Sequence, residues 1–168
     1  MISAIHPNLR RSFSILFVCL GNICRSPTAE AVLRDTAARV APRLTLEIDS
    51  AGTADYHTGR APDPRSQRAA RERGIDLSGL RARQVTTEDF TRFDLILAMD
   101  QDNLRNLQAM SPPYTRAELR LFLSYAPQLG LLEVPDPYYG GAADFAEVLD
   151  LTAAASLALI ESLQQRAQ

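Results

Sequence analysis

Four short apolar segments alternate along the chain with stretches of helical periodicity. We predict strands at residues 14–19, 44–50, 93–99 and 119–123, and a long final helix at residues 143–165. The first and third strands are almost continuously apolar, which suits strands buried on both faces of a parallel sheet. This order predicts a single α/β domain with a four-stranded parallel sheet, helices on both of its faces and right-handed crossovers.

Serine, proline and glycine mark the ends of the predicted helices. Ser26 is the expected N-cap of the first helix and Pro27 its first residue. The second helix is predicted at residues 65–73, with Gly74 as its C-terminal cap. Another helix is predicted at residues 102–110, before a pair of prolines. Sheets of this kind bind ligands beyond the carboxyl ends of their strands, so a site is expected in the loops that follow them.

Composition and charge exclude several classes of protein. The chain has 168 residues and a formal net charge of -2, which fits one domain and gives no indication of a nucleic-acid partner. No apolar run approaches the roughly 20 residues of a membrane span. The two cysteines, Cys19 and Cys24, are too few for a secreted domain held by disulfides, and with two distant histidines they fit no common zinc site. We therefore expect a cytoplasmic protein without a metal.

The loop after the first strand carries the main candidate chemistry, a Cys-x5-Arg-Ser motif between a buried strand and a helix. It consists of Cys19, Leu20, Gly21, Asn22, Ile23, Cys24, Arg25 and Ser26. Backbone N–H groups of such a loop can form an anion-binding nest, and the helix N-terminus adds partial positive charge. Arg25 can hold two phosphate oxygens with its guanidinium, and Cys19 can attack phosphorus as a thiolate. The loop is therefore predicted to bind phosphate above a nucleophile.

The remaining residues of the loop fit this role. Gly21 permits close approach of the backbone, Asn22 tolerates the left-handed region and can hold the loop with its amide, and Ser26 can donate a hydrogen bond to the sulfur. The simpler alternative is a buried strand cysteine, a surface arginine and a helix cap, and the combined pattern disfavours it. A nucleotide-binding loop of the Walker type is excluded because no Gly-Lys-Ser/Thr sequence follows the glycine.

The aspartates of the chain include a candidate general acid, which would protonate the oxygen of a departing phenolate. Asp136 is the preferred candidate because two prolines flank it and aromatic residues follow. Asp100, at the end of the third strand, is the rival, and we interpret it as the N-cap of the next helix. Asp63 is interpreted in the same way as a helix-start residue. Once the phosphoryl group is on sulfur, the Asp136 carboxylate could activate water.

Three tyrosines are candidate walls of a substrate pocket: Tyr56, Tyr138 and Tyr139. A flat phenol ring binds well between other aromatic rings. The alternative is that these tyrosines only cover the edge of the sheet, and it is the cysteine loop that favours a pocket.

Several segments together resemble the low-molecular-weight protein tyrosine phosphatases. They are residues 18–27, 50–53, 62–65, 98–100 and 136–138. The resemblance spans about residues 14–165, and the cysteine loop combined with the late Asp-Pro is its most specific part. It implies a phosphatase domain at residues 13–168, preceded at residues 1–12 by an N-terminal extension that is a candidate for disorder.

The resemblance also implies a reaction and a set of roles. It implies a phosphatase that needs neither metal nor cofactor and hydrolyses phosphotyrosine in proteins, and small aryl phosphates, through a phosphocysteine intermediate, with inorganic phosphate as product. It makes Cys19 the nucleophile, Arg25 the phosphate clamp and Asp136 the general acid. The network that holds the loop is implied at Asn22, Ser26 and Ser50, and the pocket lining at Leu20, Ile23, Tyr56 and Tyr138.

Three positions refine this resemblance. Cys24 matches the family's second loop cysteine, which can trap an oxidised Cys19 as a reversible disulfide; the alternative is a small buried filler. Ile23 stands where relatives that resemble protein arginine phosphatases typically carry threonine, and it favours an aromatic substrate. Leu80 stands where many members have a histidine linked to the loop, so the network around Asn22 is expected to be looser or completed by water.

Two other functions stay open at this point. Arsenate reductases share this fold and loop, but their chemistry needs a cysteine relay, and no cysteine follows Cys24. The second alternative is a module that binds phosphate or a partner without catalysis. It is disfavoured because every proposed catalytic group is present.

Overall fold

The part of the chain that the computed structural model describes, residues 12–168, contains four strands and five helices. The strands are β1 (Ser12–Cys19), β2 (Thr45–Gly52), β3 (Leu95–Ala98) and β4 (Glu118–Leu121). The helices are α1 (Arg25–Val40), α2 (Pro64–Arg71), α3 (Asp89–Arg92), α4 (Gln101–Met110) and α5 (Ala142–Arg166). The strands pair in parallel in the order β2-β1-β3-β4, which confirms the predicted four-stranded parallel sheet of an α/β domain.

Helices cover both faces of the sheet, as predicted. Along β1, Phe13, Ile15 and Phe17 face the layer in which α1 and α5 pack. Leu16 and Val18 face the opposite layer, which contains α3 and α4. This division follows from the pleat of a strand, because successive side chains point to opposite faces. A smaller cluster holds α2 against α1 and α5.

The strand order reverses at β1, which lies between β2 and β3. Cys19, the last residue of β1, is paired with Gly52 at the end of β2. Val18 is paired with Ala98 at the end of β3. The loops that follow these three strands therefore start side by side at one edge of the sheet. Such a switch point is where doubly wound sheets bind their ligands.

Some predicted boundaries are wrong by a few residues. β4 ends at Leu121 because a 3-10 turn, Phe122–Tyr125, follows it at once. α1 begins at Arg25, with Cys24 as N-cap, so the prediction of Ser26 as the cap is wrong. The physical reason is that the Ser26 hydroxyl lies 3.0 Å from the sulfur of the loop cysteine instead of bonding to the helix backbone.

Two aspartates that were interpreted as helix-start residues do occupy N-cap positions. The Asp63 carboxylate accepts a hydrogen bond from the backbone N–H of Arg65 at 2.8 Å. The Asp100 carboxylate accepts one from the backbone N–H of Asn103, also at 2.8 Å. α2 stops two residues before the predicted end, and Gly74 follows with a φ of 77°, a left-handed conformation that ends helices.

The prediction of an N-terminal extension at residues 1–12 lies outside the described residues, except for Ser12, which opens β1 opposite Thr45. Within residues 12–168, none of the helices combines the length and the apolar character that crossing a bilayer requires. The cytoplasmic location expected from the cysteine content stays a prediction.

Candidate active site

The cysteine loop curls around the sulfur of Cys19 at the carboxyl end of β1. The turn requires a positive φ of 57° at Asn22, and asparagine is one of the few residues besides glycine that tolerates this conformation. The backbone N–H of Asn22 then donates to Cys19 Sγ at 3.3 Å. The structure thus places the predicted nucleophile at the base of a loop whose backbone turns toward it.

A pocket of about 330 Å³ opens above this loop. Its lining is formed by Cys19, Leu20, Gly21, Ile23, Cys24, Arg25, Tyr56, His57, Asp136, Tyr138 and Tyr139. The three predicted catalytic residues and the three predicted wall tyrosines therefore meet at one cavity, although they come from three separate segments, the cysteine loop, the loop after β2 and the loop before α5. Asn22, Ser26 and Ser50 do not line the pocket, since they are buried beneath the loop.

The side-chain amide of Asn22 is oriented by its three partners. Its Oδ1 accepts a hydrogen bond from the backbone N–H of Arg83 at 3.0 Å. This leaves Nδ2 to donate to Ser26 Oγ at 2.8 Å and to Ser50 Oγ at 3.0 Å. Because a backbone N–H can only donate, the amide cannot be flipped without losing the bond to Arg83. Both serine oxygens are therefore acceptors toward Asn22.

This orientation directs the hydroxyl protons of the two serines. Ser50 Oγ lies 2.7 Å from Glu30 Oε1 and donates to that carboxylate. The Ser26 hydroxyl donates its proton to Cys19 Sγ, which lies 3.0 Å from Oγ. The alternative acceptor, the backbone carbonyl of Ala51, is farther away at 3.4 Å. The chain of bonds thus ends with a donor aimed at the sulfur, as suits a thiolate.

Arg83 ties this network to the rest of the sheet. Its guanidinium contacts the carboxylate of Asp49 on β2 at 3.0 Å and that of Asp89 on α3 at 2.9 Å. Its backbone carbonyl also accepts from the N–H of Gly52 at 2.8 Å. The backbone N–H that holds Asn22 is therefore fixed from both sides.

The Arg25 side chain is buried and held by groups from two other loops. Nη1 donates to Asp100 Oδ2 at 2.6 Å and to the carbonyl of Val134 at 3.1 Å. Nη2 lies 3.6 Å from Asp136 Oδ2. Burial works to lower the pKa of the Arg25 guanidinium, but Cys19, Asp100 and Asp136 together raise that pKa above its ordinary value. Arg25 is thus a fixed cation at the pocket.

Asp100 has a second role that the sequence did not indicate. One carboxylate oxygen caps α4, as predicted, and the other binds the predicted phosphate clamp, Arg25. A signal was available in retrospect, because Asp100 follows a strand that is a parallel neighbour of β1 and so lies at the same sheet edge.

Asp136 lies at the mouth of the pocket with its side chain about half exposed. Its Oδ1 accepts from the backbone N–H of Tyr138 at 3.1 Å, and its Oδ2 is the oxygen nearest to Arg25. The hydrogen bond to Tyr138 fixes the direction of the carboxyl group. The group is therefore placed to exchange a proton with a molecule bound over Cys19.

His57 is a pocket residue that the sequence reasoning missed. A Cβ atom on Gly21 would lie only 2.8 Å from His57 Cδ2, so a residue larger than glycine at position 21 would clash with the imidazole. Tyr56 and Tyr139 are largely exposed, and Tyr138 packs edge-on against Tyr139 at 4.9 Å between ring centroids. The aromatic walls are therefore open toward solvent.

Residues 12–168 contain no cluster of three or more His, Cys, Asp and Glu side chains suited to a metal ion.

Cys24 lines the pocket with a buried side chain. Burial raises the pKa of its thiol to about 12, and a hydrogen bond with Ser66 opposes this only in part. Cys24 is therefore a protonated thiol near neutral pH, with Cys19 as the loop's candidate nucleophile. Its role as a disulfide partner of Cys19 stays a prediction.

A sequence profile described as low molecular weight phosphotyrosine protein phosphatase matches residues 14–168, nearly the whole chain. The chain belongs to the low-molecular-weight phosphotyrosine protein phosphatase family. The low molecular weight protein-tyrosine-phosphatase YfkJ of Bacillus subtilis is 41% identical over 155 residues, which cover 92% of this chain and 98% of the relative. The low molecular weight phosphotyrosine protein phosphatase of Mus musculus is 48% identical over 139 residues, which cover 82% and 87%.

Solved structures of the phosphatase family have the same fold. The crystal structure of YfkJ from Bacillus subtilis superposes with a TM-score of 0.86 at 40% identity, covering 94% of this chain and 98% of that one. A protein tyrosine phosphatase from Entamoeba histolytica, with Hepes in its active site, also gives a TM-score of 0.86, at 38% identity, covering 91% and 97%. The resemblance drawn from the sequence is confirmed, and the protein is an enzyme of this family, a phosphoric monoester hydrolase.

Leu80 is the position at which the sequence predicts a looser network around Asn22. Its side chain packs with Leu77 and Ala70 in the apolar cluster between α1, α2 and α5. The network below the loop is nevertheless complete at Asn22, because the backbone of Arg83 and the hydroxyl of Ser50 satisfy its amide. The carboxylate of Glu30 forms the far end of this network.

The buried Glu30 makes the stability of the phosphatase depend on pH. Burial raises the pKa of its carboxyl, while hydrogen bonds from Ser50 and Arg34 oppose this. The folded state therefore binds the Glu30 proton more tightly than the unfolded chain does. The free energy of unfolding should fall as pH rises from about 4.5, the ordinary glutamate value, through the raised pKa of the folded state.

The variant Glu30→Gln should remove this fall, because glutamine still accepts from Ser50 but does not titrate. Urea unfolding followed from pH 4 to 8 would measure it. Glu161→Gln, an exposed change on α5, is the matched control and should leave the pH profile as it is. A profile for Glu30→Gln that runs parallel to the wild type would contradict the assignment.

Proposed function

We propose that this enzyme hydrolyses phosphotyrosine in protein substrates, and small aryl phosphates, through a phosphocysteine intermediate and without a metal ion. The observation that carries the proposal is the meeting of three groups at one pocket: Cys19 at the base, Arg25 beside it and Asp136 at the mouth, with 3.6 Å between Arg25 Nη2 and Asp136 Oδ2. These groups are a nucleophile, an anion clamp and an acid.

In the first step, the Cys19 thiolate attacks phosphorus, and the bond from phosphorus to the phenolic oxygen breaks. Asp136 gives its proton to that oxygen, so tyrosine leaves as a neutral phenol. The charge of the transferring phosphoryl group is stabilised by the backbone N–H groups of the loop and by Arg25. Nη1 of Arg25 is held by Asp100 and Val134, which leaves the Nε and Nη2 hydrogens for a bidentate contact with phosphate oxygens.

In the second step, water attacks the phosphocysteine and the S–P bond breaks. The Asp136 carboxylate takes a proton from this water, and Cys19 leaves as a thiolate. The hydrogen bond from Ser26 to Sγ stabilises the charge that returns to sulfur. The products are inorganic phosphate and the free enzyme. Groups of this chain handle every proton and charge in both steps, so the proposed reaction needs no cofactor.

The walls of the pocket support an aryl substrate. Tyr56 and Tyr138 offer aromatic faces, and Leu20 and Ile23 add apolar surface at the loop itself. A phenyl ring gains binding energy from contact with such surface. A serine side chain is too short to place its phosphate at Cys19 and to contact the walls as well. Isoleucine at position 23 offers no hydroxyl to a guanidinium group, which disfavours phosphoarginine.

A panel of phosphopeptides tests the proposal. We expect kcat/KM for phosphotyrosine to exceed that for phosphoserine or phosphoarginine in the same sequence by about 10- to 100-fold, the gain from burying one aromatic ring. The release of inorganic phosphate in the presence of EDTA is the measurement. Faster turnover of phosphoarginine, or loss of activity in EDTA, would contradict the proposal.

A further inference from the structure

A second groove, separate from the pocket over Cys19, lies between α2 and the start of α5. We call it the α2–α5 groove; its volume is about 250 Å³. Three arginines, Arg65, Arg68 and Arg73, line it together with a single acidic residue, Glu72. Phe145 forms part of its apolar floor. The groove therefore combines an excess of positive charge with an apolar lining.

The three arginines differ in whether an acidic side chain already forms an ion pair with them. Arg65 is bound by Asp63, with its Nη2 2.9 Å from Oδ2, and Arg73 by Asp150 at 2.6 Å. Arg68 is exposed and has no ion-pair partner within residues 12–168. Arg68 is therefore the cation of the groove that can accept a new carboxylate.

Arg65 connects the groove to the active site. Its guanidinium carbon lies 5.5 Å from the ring centroid of Tyr138, a wall of the catalytic pocket, and 4.6 Å from that of Phe145, the floor of the groove. The two ring centroids are thus no more than about 10 Å apart. Asp63 holds the Arg65 fork in place, so the guanidinium lies between one ring of the catalytic pocket and one ring of the groove.

We propose that the α2–α5 groove binds an acidic side chain of the peptide substrate, two or three residues away from the phosphotyrosine. The inference rests on the proposed function, since it assumes that a peptide carries the phosphate. An extended peptide advances about 3.3 Å per residue, so two or three residues span the distance from Tyr138 to Phe145. A glutamate at that position places its carboxylate at Arg68 and its methylene groups on the alanines that line the groove, Ala69, Ala142 and Ala146.

The test compares phosphotyrosine peptides that carry either glutamate or alanine two and three residues before or after the phosphotyrosine. The wild-type enzyme should show a KM about three- to fivefold lower for the best glutamate peptide than for its alanine partner, as expected for one exposed ion pair. Arg68→Ala should abolish this preference, and Arg68→Glu should reverse it toward a peptide with lysine at the same position.

The matched control is Arg71→Ala, which removes an equal charge from an exposed position of α2 outside the groove. It should keep the preference for glutamate. An equal loss of preference in both variants would overturn the proposal, because it would show a long-range field instead of a local contact. Equal KM values for all wild-type peptides would also overturn it.

The experiment separates the two proposals. If the enzyme hydrolyses phosphotyrosine peptides without a preference for acidic neighbours, the groove proposal fails and the proposed function stands. If it hydrolyses p-nitrophenyl phosphate but no phosphotyrosine peptide, the substrate assignment fails and the groove proposal fails with it. Turnover of p-nitrophenyl phosphate by each variant shows that it is folded.

Discussion

Cys19→Ser is expected to lower the turnover of p-nitrophenyl phosphate by about 10⁴-fold or more. The surroundings of Sγ explain why a hydroxyl cannot substitute. The groups that contact the sulfur, the Ser26 hydroxyl and the backbone N–H of Asn22, both donate hydrogen bonds to it. They can stabilise negative charge on that atom, and neither can remove the proton of a serine. A serine at position 19 would therefore stay protonated and a poor nucleophile.

The other loop cysteine supplies the matched control. Cys24→Ser makes the same exchange of sulfur for oxygen. Burial raises the pKa of the Cys24 thiol to about 12 and keeps this thiol protonated, so we expect the variant to keep most of its activity. Steady-state release of p-nitrophenol measures both variants. Binding of inorganic phosphate, measured by calorimetry, would show that the Cys19→Ser variant still forms the binding loop. Turnover by Cys19→Ser near the wild-type rate would exclude the phosphocysteine mechanism.

The order of strands and helices could be predicted because it depends on local patterns. The continuous apolar run that ends at Cys19 is buried on both faces, and the alternation in β2 matches its half-buried position. Asp63 and Asp100 were correctly interpreted as helix-start residues because a cap acts within its own turn. The family resemblance then indicated which distant segments belong to the same site, which no local rule predicts.

What could not be predicted depends on contacts between distant segments. The bond from Ser26 to the sulfur was predicted, but the start of the helix was not. α1 begins two residues before Pro27, its predicted first residue, because the turn at Asn22 commits the Ser26 hydroxyl to the sulfur. Arg83 acts on the loop through its backbone N–H, a group that every residue except proline possesses. The packing of His57 against Gly21 could not be predicted from the sequence either, because it joins two loops that only the fold brings together.

Asp136→Asn should slow poor leaving groups far more than good ones. Asparagine keeps an oxygen that can accept from the backbone N–H of Tyr138, so the position of the side chain is retained while its proton is lost. The hydrolysis of phenyl phosphate and of phosphotyrosine peptides should fall by about 10²- to 10⁴-fold, the usual contribution of general-acid catalysis. p-Nitrophenyl phosphate should be affected much less, because its leaving group is stable as an anion.

Asp100→Asn distinguishes an acid from a charge that positions Arg25. Both aspartates lie next to the Arg25 guanidinium, at 2.6 Å for Asp100 and 3.6 Å for Asp136, so both substitutions remove a negative charge from the same cation. Asp100, however, is committed to Arg25 and to the N-terminus of α4, and it does not line the pocket. Its loss should slow all esters by a similar factor, whereas the loss of Asp136 should steepen the dependence of kcat on the basicity of the leaving group. Equal slopes for the two variants would remove Asp136 from the role of the acid and leave it as a second partner of Arg25.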